Sequence, residues 1–202
     1  MQHRARAVLA VVILLSAGLL TGCFLNIFQT ARTVGQGNVA LAIGTGVLNM
    51  AIGEDNNWML TPQGRISIGL ADNVDLGVRS GGMFSLTSGE LGFLGAVGDI
   101  KVSLFQDPES FSLALGFGGG YNMGTFGWGL EGSIYLDSNL RFLPIYFVYH
   151  PLLPLAGDDG VTILHQLGGG LHLTLSETTR LLIEVDYWQG ILSFGISLEI
   201  LL

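Results

Sequence analysis

Charged side chains in this sequence recur in phase with one face of segments that alternate between apolar and polar residues. Six acids and four bases share this face, and one histidine joins them: Arg65, Asp75, Arg79, Asp99, Lys101, Glu131, Arg141, His172, Glu184, Asp186 and Glu199. Around an enclosed space, such groups could select ions or exchange protons. They could equally pair with one another, since a buried charge is stable only with a partner. Because the two signs are nearly balanced, we favour a network of salt bridges.

A period of two residues positions these charges, and this period is typical of β-strands. In the first segment, Val39, Leu41 and Ile43 fall on one face, and small or polar residues fall on the other. Ten such segments are predicted as strands: 38–47, 65–70, 74–79, 91–105, 111–121, 126–136, 140–149, 162–175, 181–188 and 192–200. The seventh is the weakest of them, because Pro144 cannot donate to a strand ladder.

The composition favours a barrel that spans a membrane. Only 12% of the residues are charged, the mean hydropathy is +0.55, and there are 31 glycines. No run of about 18 apolar residues follows Cys23, so no transmembrane helix is predicted there. We therefore expect an all-β fold: a closed antiparallel up-and-down transmembrane β-barrel of about ten strands, with eight or twelve as alternatives. The formal net charge of −8 argues against nucleic acid as a partner.

The N-terminal residues have the build of an export signal. Arg4 and Arg6 precede an apolar run, residues 8–20, that is too short to cross a bilayer as a helix. The run ends in Leu20-Thr21-Gly22-Cys23, which resembles the lipobox of bacterial lipoproteins. This resemblance implies cleavage before Cys23 by the lipoprotein-processing machinery and a covalent lipid on its sulfur. No cofactor other than this lipid is expected.

The alternative is an ordinary signal peptide followed by an unrelated cysteine. Cys23 is the only cysteine of the chain, so it has no disulfide partner within it. In lipoproteins, aspartate at the next position commonly retains the protein at the inner membrane, and here that position is Phe24. The resemblance therefore implies the outer membrane. The expected organisation is a signal peptide at 1–22, a lipidated linker at 23–37 and the barrel at 38–202.

The lengths of the predicted connections indicate how the barrel is oriented. Those after strands two, four, six and eight are tight, whereas those after strands one, three and seven are longer, including loops at 49–63 and 150–161. Outer-membrane barrels have short periplasmic turns and longer outer loops. An even strand number places Cys23 on the short-turn side, so its lipid is expected in the inner leaflet, facing the periplasm. Outer-membrane lipid and the barrel-assembly machinery are the expected partners.

The apolar face is predicted to contact lipid, because the other face carries too little charge for a solvent-exposed surface. The opposite arrangement would give a lipocalin-like periplasmic binder of apolar ligands, and this alternative stays open. We expect a lipid-anchored outer-membrane barrel with a largely plugged lumen and a structural or interaction role. Its outer loops would meet a partner that the sequence does not identify. The alternative function is a narrow, cation-preferring pore lined by the same charges.

An enzymatic role is not expected. Small outer-membrane barrels include lipid A-modifying enzymes that use a histidine and a serine facing the lipid. His165 is in phase with the lipid face, but no matching serine motif lies beside it. No catalytic residue and no metal site are therefore predicted.

Overall fold

The computed structural model describes residues 26–52, 55–107, 110–122, 127–138, 140, 144–155 and 163–202. They form ten strands: β1 (Val39–Ile52), β2 (Asp55–Ala71), β3 (Val74–Ser85), β4 (Leu91–Gln106), β5 (Phe111–Asn122), β6 (Gly127–Ser138), β7 (Ile145–Pro154), β8 (Leu164–Ser176), β9 (Thr179–Trp188) and β10 (Ile191–Leu201). Each strand pairs antiparallel with its neighbours in sequence, and β1 pairs with β10. The sheet is a closed barrel, which confirms the predicted fold class and strand number. Within the described ranges, no helix has the length and apolar character needed to cross a membrane.

The alternation of side chains determines which face of the sheet points outward. In β9, Ile183 and Val185 are each 40% exposed, whereas Glu184 and Asp186, which alternate with them, are each 1% exposed. The same pattern holds around the barrel, whose outward side chains are mainly Leu, Ile, Val and Phe. An apolar band on the outside of a closed sheet matches the lipid-facing surface of a membrane barrel, and the inward polar face encloses the lumen.

Two stretches predicted as loops are strands instead. The predicted loop 49–63 is wrong, because β1 and β2 extend as a hairpin in which Ile52 pairs with Asp55. Residues 150–154, also predicted as loop, belong to β7. Pro151 is tolerated there because it is skipped in the β6–β7 register, while β8 pairs with it on the other side. In both stretches, neighbouring strands stabilise residues that have weak strand propensity.

The two ends of the barrel differ in what they carry. β1 begins and β10 ends at what we call the turn end, which also has the tight connections Asp72-Asn73 and 177–178. The opposite end, the loop end, carries the connections 86–90 and 155–163 as well as the turn Gln189-Gly190. The contrast in length rests chiefly on 155–163, because other connections of the loop end are as short as those of the turn end.

Candidate functional site

The lumen collects the charged residues of the inward face, and its first ion pair joins β2 to β4. The Arg65 guanidinium donates two hydrogen bonds to the Asp99 carboxylate, from Nη1 to Oδ2 at 2.5 Å and from Nη2 to Oδ1 at 2.7 Å. Its Nε donates to the Ser67 hydroxyl at 2.9 Å. Both charged side chains are buried. A bidentate pair of this kind fixes the planes of both groups and leaves neither as a free ligand.

A second pair crosses the lumen from β3 to β6. Arg79 Nη2 donates to Glu131 Oε2 at 2.5 Å, and His150 Nε2 lies 3.3 Å from the same oxygen. The other ring nitrogen of His150 lies 2.7 Å from the Ser133 hydroxyl. Ser133, His150 and Glu131 are thus in contact in the order of a catalytic triad. All of them are buried, however, and Glu131 is held by arginine, so the arrangement is built as a pairing network.

Further pairs lie towards the turn end. Lys101 Nζ is 3.2 Å from Asp75 Oδ2, and His172 Nε2 is 2.7 Å from Asp137 Oδ1. Glu199 lies 3.6 Å from Arg180, and both side chains are 23% exposed. Arg141, also predicted to face the lumen, lies outside the described residues. Among the residues described, no three His, Cys, Asp or Glu side chains cluster as a metal site requires.

Glu184 and Asp186 bind the N-terminal part of the chain itself. The Glu184 carboxylate accepts hydrogen bonds from the backbone N–H of Ile27 at 2.5 Å and of Phe28 at 2.9 Å, and from the Tyr146 hydroxyl at 2.8 Å. Asp186 accepts from Asn26 Nδ2 at 2.7 Å. These two acids are therefore bound by a peptide segment inside the barrel, together with the Tyr146 hydroxyl and the Gln166 amide.

This segment, residues 26–34, is called the lumen segment below. Residues 26–31 are at most 4% exposed, so the part of the linker that the structure describes runs within the barrel, whereas the sequence indicated only a connection from a lipid to β1. Gln63 Nε2 donates to the Asn26 carbonyl at 2.8 Å, and Lys101 donates to the carbonyls of Thr30 and Arg32. The Gln29 amide contacts the Tyr135 hydroxyl and the Arg65 guanidinium.

A glycine turn joins the lumen segment to β1. Gly35 and Gly37 have φ values of +81° and +77°, a conformation that side chains disfavour. Val34 N–H donates to Asp75 Oδ1 at 3.0 Å just before the turn, and Gly37 N–H donates to the Gly69 carbonyl at 2.9 Å within it. The chain therefore reverses at the turn end and continues as β1 in the barrel wall.

Glycines of β1 and β10 make room for the lumen segment. A methyl group at Gly44 would lie 2.8 Å from Phe28 Cε2, and one at Gly46 would collide with the Asn26 side chain. At Gly195 it would meet both Phe28 and Asn26. The small residues on the inward face of these strands therefore leave the space that the lumen segment occupies.

Little space remains around the lumen segment. The cavity between Ile27, Phe28, Arg65 and Arg79 measures about 10 Å³, which is about enough for one water molecule. Nearer the loop end lies an inward apolar cluster: Leu48 and Met59 are buried, and Met83, Trp188 and Ile191 pack against them. These five residues are called the apolar collar below. The buried Ser85 pairs with Met59 at the same level.

On the outward face, the polar contact relevant to the sequence analysis is that of His165. His165 faces outward as its phase indicated, and its Nδ1 lies 2.8 Å from the Tyr149 hydroxyl, with the two rings stacked 5.9 Å apart. This pair contains no serine. The sequence had not pointed to Asn26, Gln29, Asp137 or His150 as lumen residues. The available signal for an internal segment was the set of glycines on β1 and β10, two strands that are neighbours only in a closed barrel.

Comparison with known proteins finds barrels and nothing more specific. No protein-family model and no curated protein matches the chain. The KdgM porin is 7% identical over 80% of this chain and 98% of its own, with a TM-score of 0.41. The N-terminal β-barrel domain of Pseudomonas aeruginosa OprF is 14% identical over 83% of this chain and 99% of its own, with a TM-score of 0.37. A chain from the de novo design of transmembrane β-barrels is 14% identical over 83% and 97%, with a TM-score of 0.38. Similarity at this level carries no information on ligand or role.

Proposed function

We propose that this protein is an integral outer-membrane β-barrel whose lumen is filled by its own N-terminal segment, and that its role is structural or interactive. The observation that carries the proposal is the carboxylate of Glu184, which accepts hydrogen bonds from two backbone N–H groups of the lumen segment. Removing the segment would leave this buried charge with fewer partners, which is costly. The segment is thus bound as a part of the barrel interior.

The membrane location is supported by the outward apolar band. A lipocalin-like binder would turn its large apolar side chains inward around a ligand cavity. Here Phe117 and Phe194 are exposed on the outside by 63% and 57%, while the inside holds ion pairs. Closed barrels with this arrangement belong to outer membranes. Outer-membrane lipid and the barrel-assembly machinery are accordingly the proposed partners.

A narrow cation-preferring pore would need a continuous water path along the lumen charges. The lumen segment and the cavity of about 10 Å³ beside it leave little room for such a path. The acids that would attract cations are bound to arginine, lysine, backbone N–H groups or side-chain amides. The observations therefore favour a barrel with a filled lumen over an open pore.

Planar-bilayer recording tests this proposal. The unaltered protein is expected to show no steady conductance. A variant with residues 26–32 replaced by glycine and serine at equal length should conduct, because the lumen loses its filling but keeps its wall. The same replacement at 86–90, outside the lumen, is the matched control and should stay silent. Steady, cation-selective channels in the unaltered protein would make it a small porin instead.

Lipidation of Cys23 is the second part of the proposal, and the lipobox-like motif supports it. Several acyl chains on one residue exceed the two signals that stable membrane anchoring requires. Cells given a labelled fatty acid should incorporate it into the wild-type protein but not into Cys23→Ala. Equal label in the two proteins would refute lipidation at this residue.

A further inference from the structure

The direction of the lumen segment is defined by contacts at its two ends. At one end, the Thr33 hydroxyl donates to the Asp72 carbonyl at 2.6 Å, which places Thr33 at the turn end. At the other, Asn26 accepts from the Ser193 hydroxyl at 2.7 Å and donates to Asp186. Ser193 and Asp186 each lie two residues from the strand ends at Ile191 and Trp188 that flank the turn of the loop end. The segment therefore runs antiparallel to β1, from the turn end to the level of Gly46 on β1 and Ser193 on β10.

Chain length limits where the preceding residues can go. Cys23 is three residues before Asn26, and three extended residues span at most about 10 Å. The turn end is much farther away: Ser193 and Leu201 are eight residues apart along β10, which corresponds to about 26 Å. Residue 23 can reach the rim of the loop end, but it cannot return to the turn end.

The chemistry of the lumen changes where the preceding residues must pass. On β1, β2, β9 and β10, the next inward layer beyond the partners of Asn26 belongs to the apolar collar, in the form of Leu48, Met59, Trp188 and Ile191. The two residues before Asn26 are Leu25 and Phe24, both apolar. Polar residues of the lumen segment thus face polar partners, and the apolar collar offers apolar partners for the two apolar residues that precede the segment.

We propose that the chain before Asn26 leaves the barrel at the loop end through the apolar collar. The longest connection, 155–163, lies at the loop end. Because the longer loops of outer-membrane barrels face outward, the N-terminus of the processed protein would stand at the cell surface. Its lipid, which rests on the lipidation of Cys23 proposed above, would then insert into the outer leaflet. This reverses the inner-leaflet placement that was expected from the end at which β1 begins.

Crosslinking tests the path without using the lipid. Leu25→Cys with Leu48→Cys should form a disulfide on oxidation, whereas Leu25→Cys with Ser103→Cys, an inward residue near the turn end, should not. Both pairs are placed in full-length Cys23→Ser protein behind a signal peptide for non-lipidated export, so a failure of lipidation leaves this result unchanged. Crosslinking of the second pair in place of the first would overturn the proposed path.

An epitope inserted between Phe24 and Leu25 tests the side of the membrane. In the lipobox-bearing protein, antibody should bind it on intact cells as strongly as after permeabilisation, as for the same epitope placed in the turn Gln189-Gly190. An epitope between Asp72 and Asn73 should bind antibody only after permeabilisation. If the epitope at residue 24 behaves like the one at residue 72, the N-terminus lies in the periplasm and the proposal fails.

Discussion

At the scale of single residues, the lumen satisfies its buried charges in two different ways. Arg65 with Asp99, and Arg79 with Glu131, form ion pairs between strands. Glu184 is satisfied by backbone N–H groups and a tyrosine hydroxyl. The first kind of partner holds strands of the wall together, whereas the second ties the wall to the lumen segment.

Glu184→Gln tests the contribution of the second kind of partner. The amide can accept through one oxygen, but its nitrogen would face a backbone N–H that also donates. We expect the free energy of unfolding to fall by about 1.5–3 kcal/mol, the range for hydrogen bonds to a charged group, as measured by urea titration in detergent micelles. Glu199→Gln is the matched control, since its partially exposed pair with Arg180 should contribute at most about 1 kcal/mol. Equal losses in the two variants would mean that Glu184 does not anchor the segment.

At the scale of elements, residues 26–52 form a hairpin with one arm in the lumen and the other in the wall. The turn at Gly35 and Gly37 joins the arms, and the glycines of β1 let them approach closely. The sequence predicted the wall arm from its period of two. It could not predict the inner arm, because Asn26, Gln29 and Thr30 have no apolar period and resemble a solvated linker. Their burial depends on contacts with strands more than 30 residues away.

Gly46→Val tests whether the two arms must fit together. The new side chain would collide with Asn26, so the lumen segment should be displaced and become accessible to protease in micelles. Gly132→Val is the control, because a methyl group there would meet only Pro151 Cγ at 3.5 Å, which is ordinary contact. If the segment is equally protected from protease in both variants, a glycine at position 46 is not required to accommodate it.

At the scale of the whole molecule, the sequence was informative about the wall and poor about the interior. The alternation of apolar and polar residues assigned the outward and inward positions of the predicted strands, since a shift of one residue would move every side chain to the opposite face. The partners inside were not predictable. Arg79 and Glu131 stand on β3 and β6, and their meeting depends on the curvature of the closed sheet. His150 was missed because it was assigned to the predicted loop 150–161, where Pro151 and Pro154 argued against a strand.

Ile196→Arg tests the outward band of the whole barrel. Ile196 lies in the middle of β10 and is 48% exposed, so an arginine there should lower the unfolding free energy in lipid vesicles by about 2–4 kcal/mol. Leu202→Arg provides the control, because Leu202 follows the end of β10 and a charge near the interface costs only about 0–1 kcal/mol. Equal losses at both positions would contradict a membrane around the middle of the strand.

The hairpin at residues 26–52 also constrains the order of assembly. Its outer arm, β1, forms one side of the seam with β10 that completes the barrel. Its inner arm carries Phe28, which fits against Gly44 and Gly195 with almost no free volume. An arm that is packed this closely would be difficult to insert into a barrel that has already closed. We therefore expect the wall to close around an arm already in place, with the seam between β1 and β10 forming last.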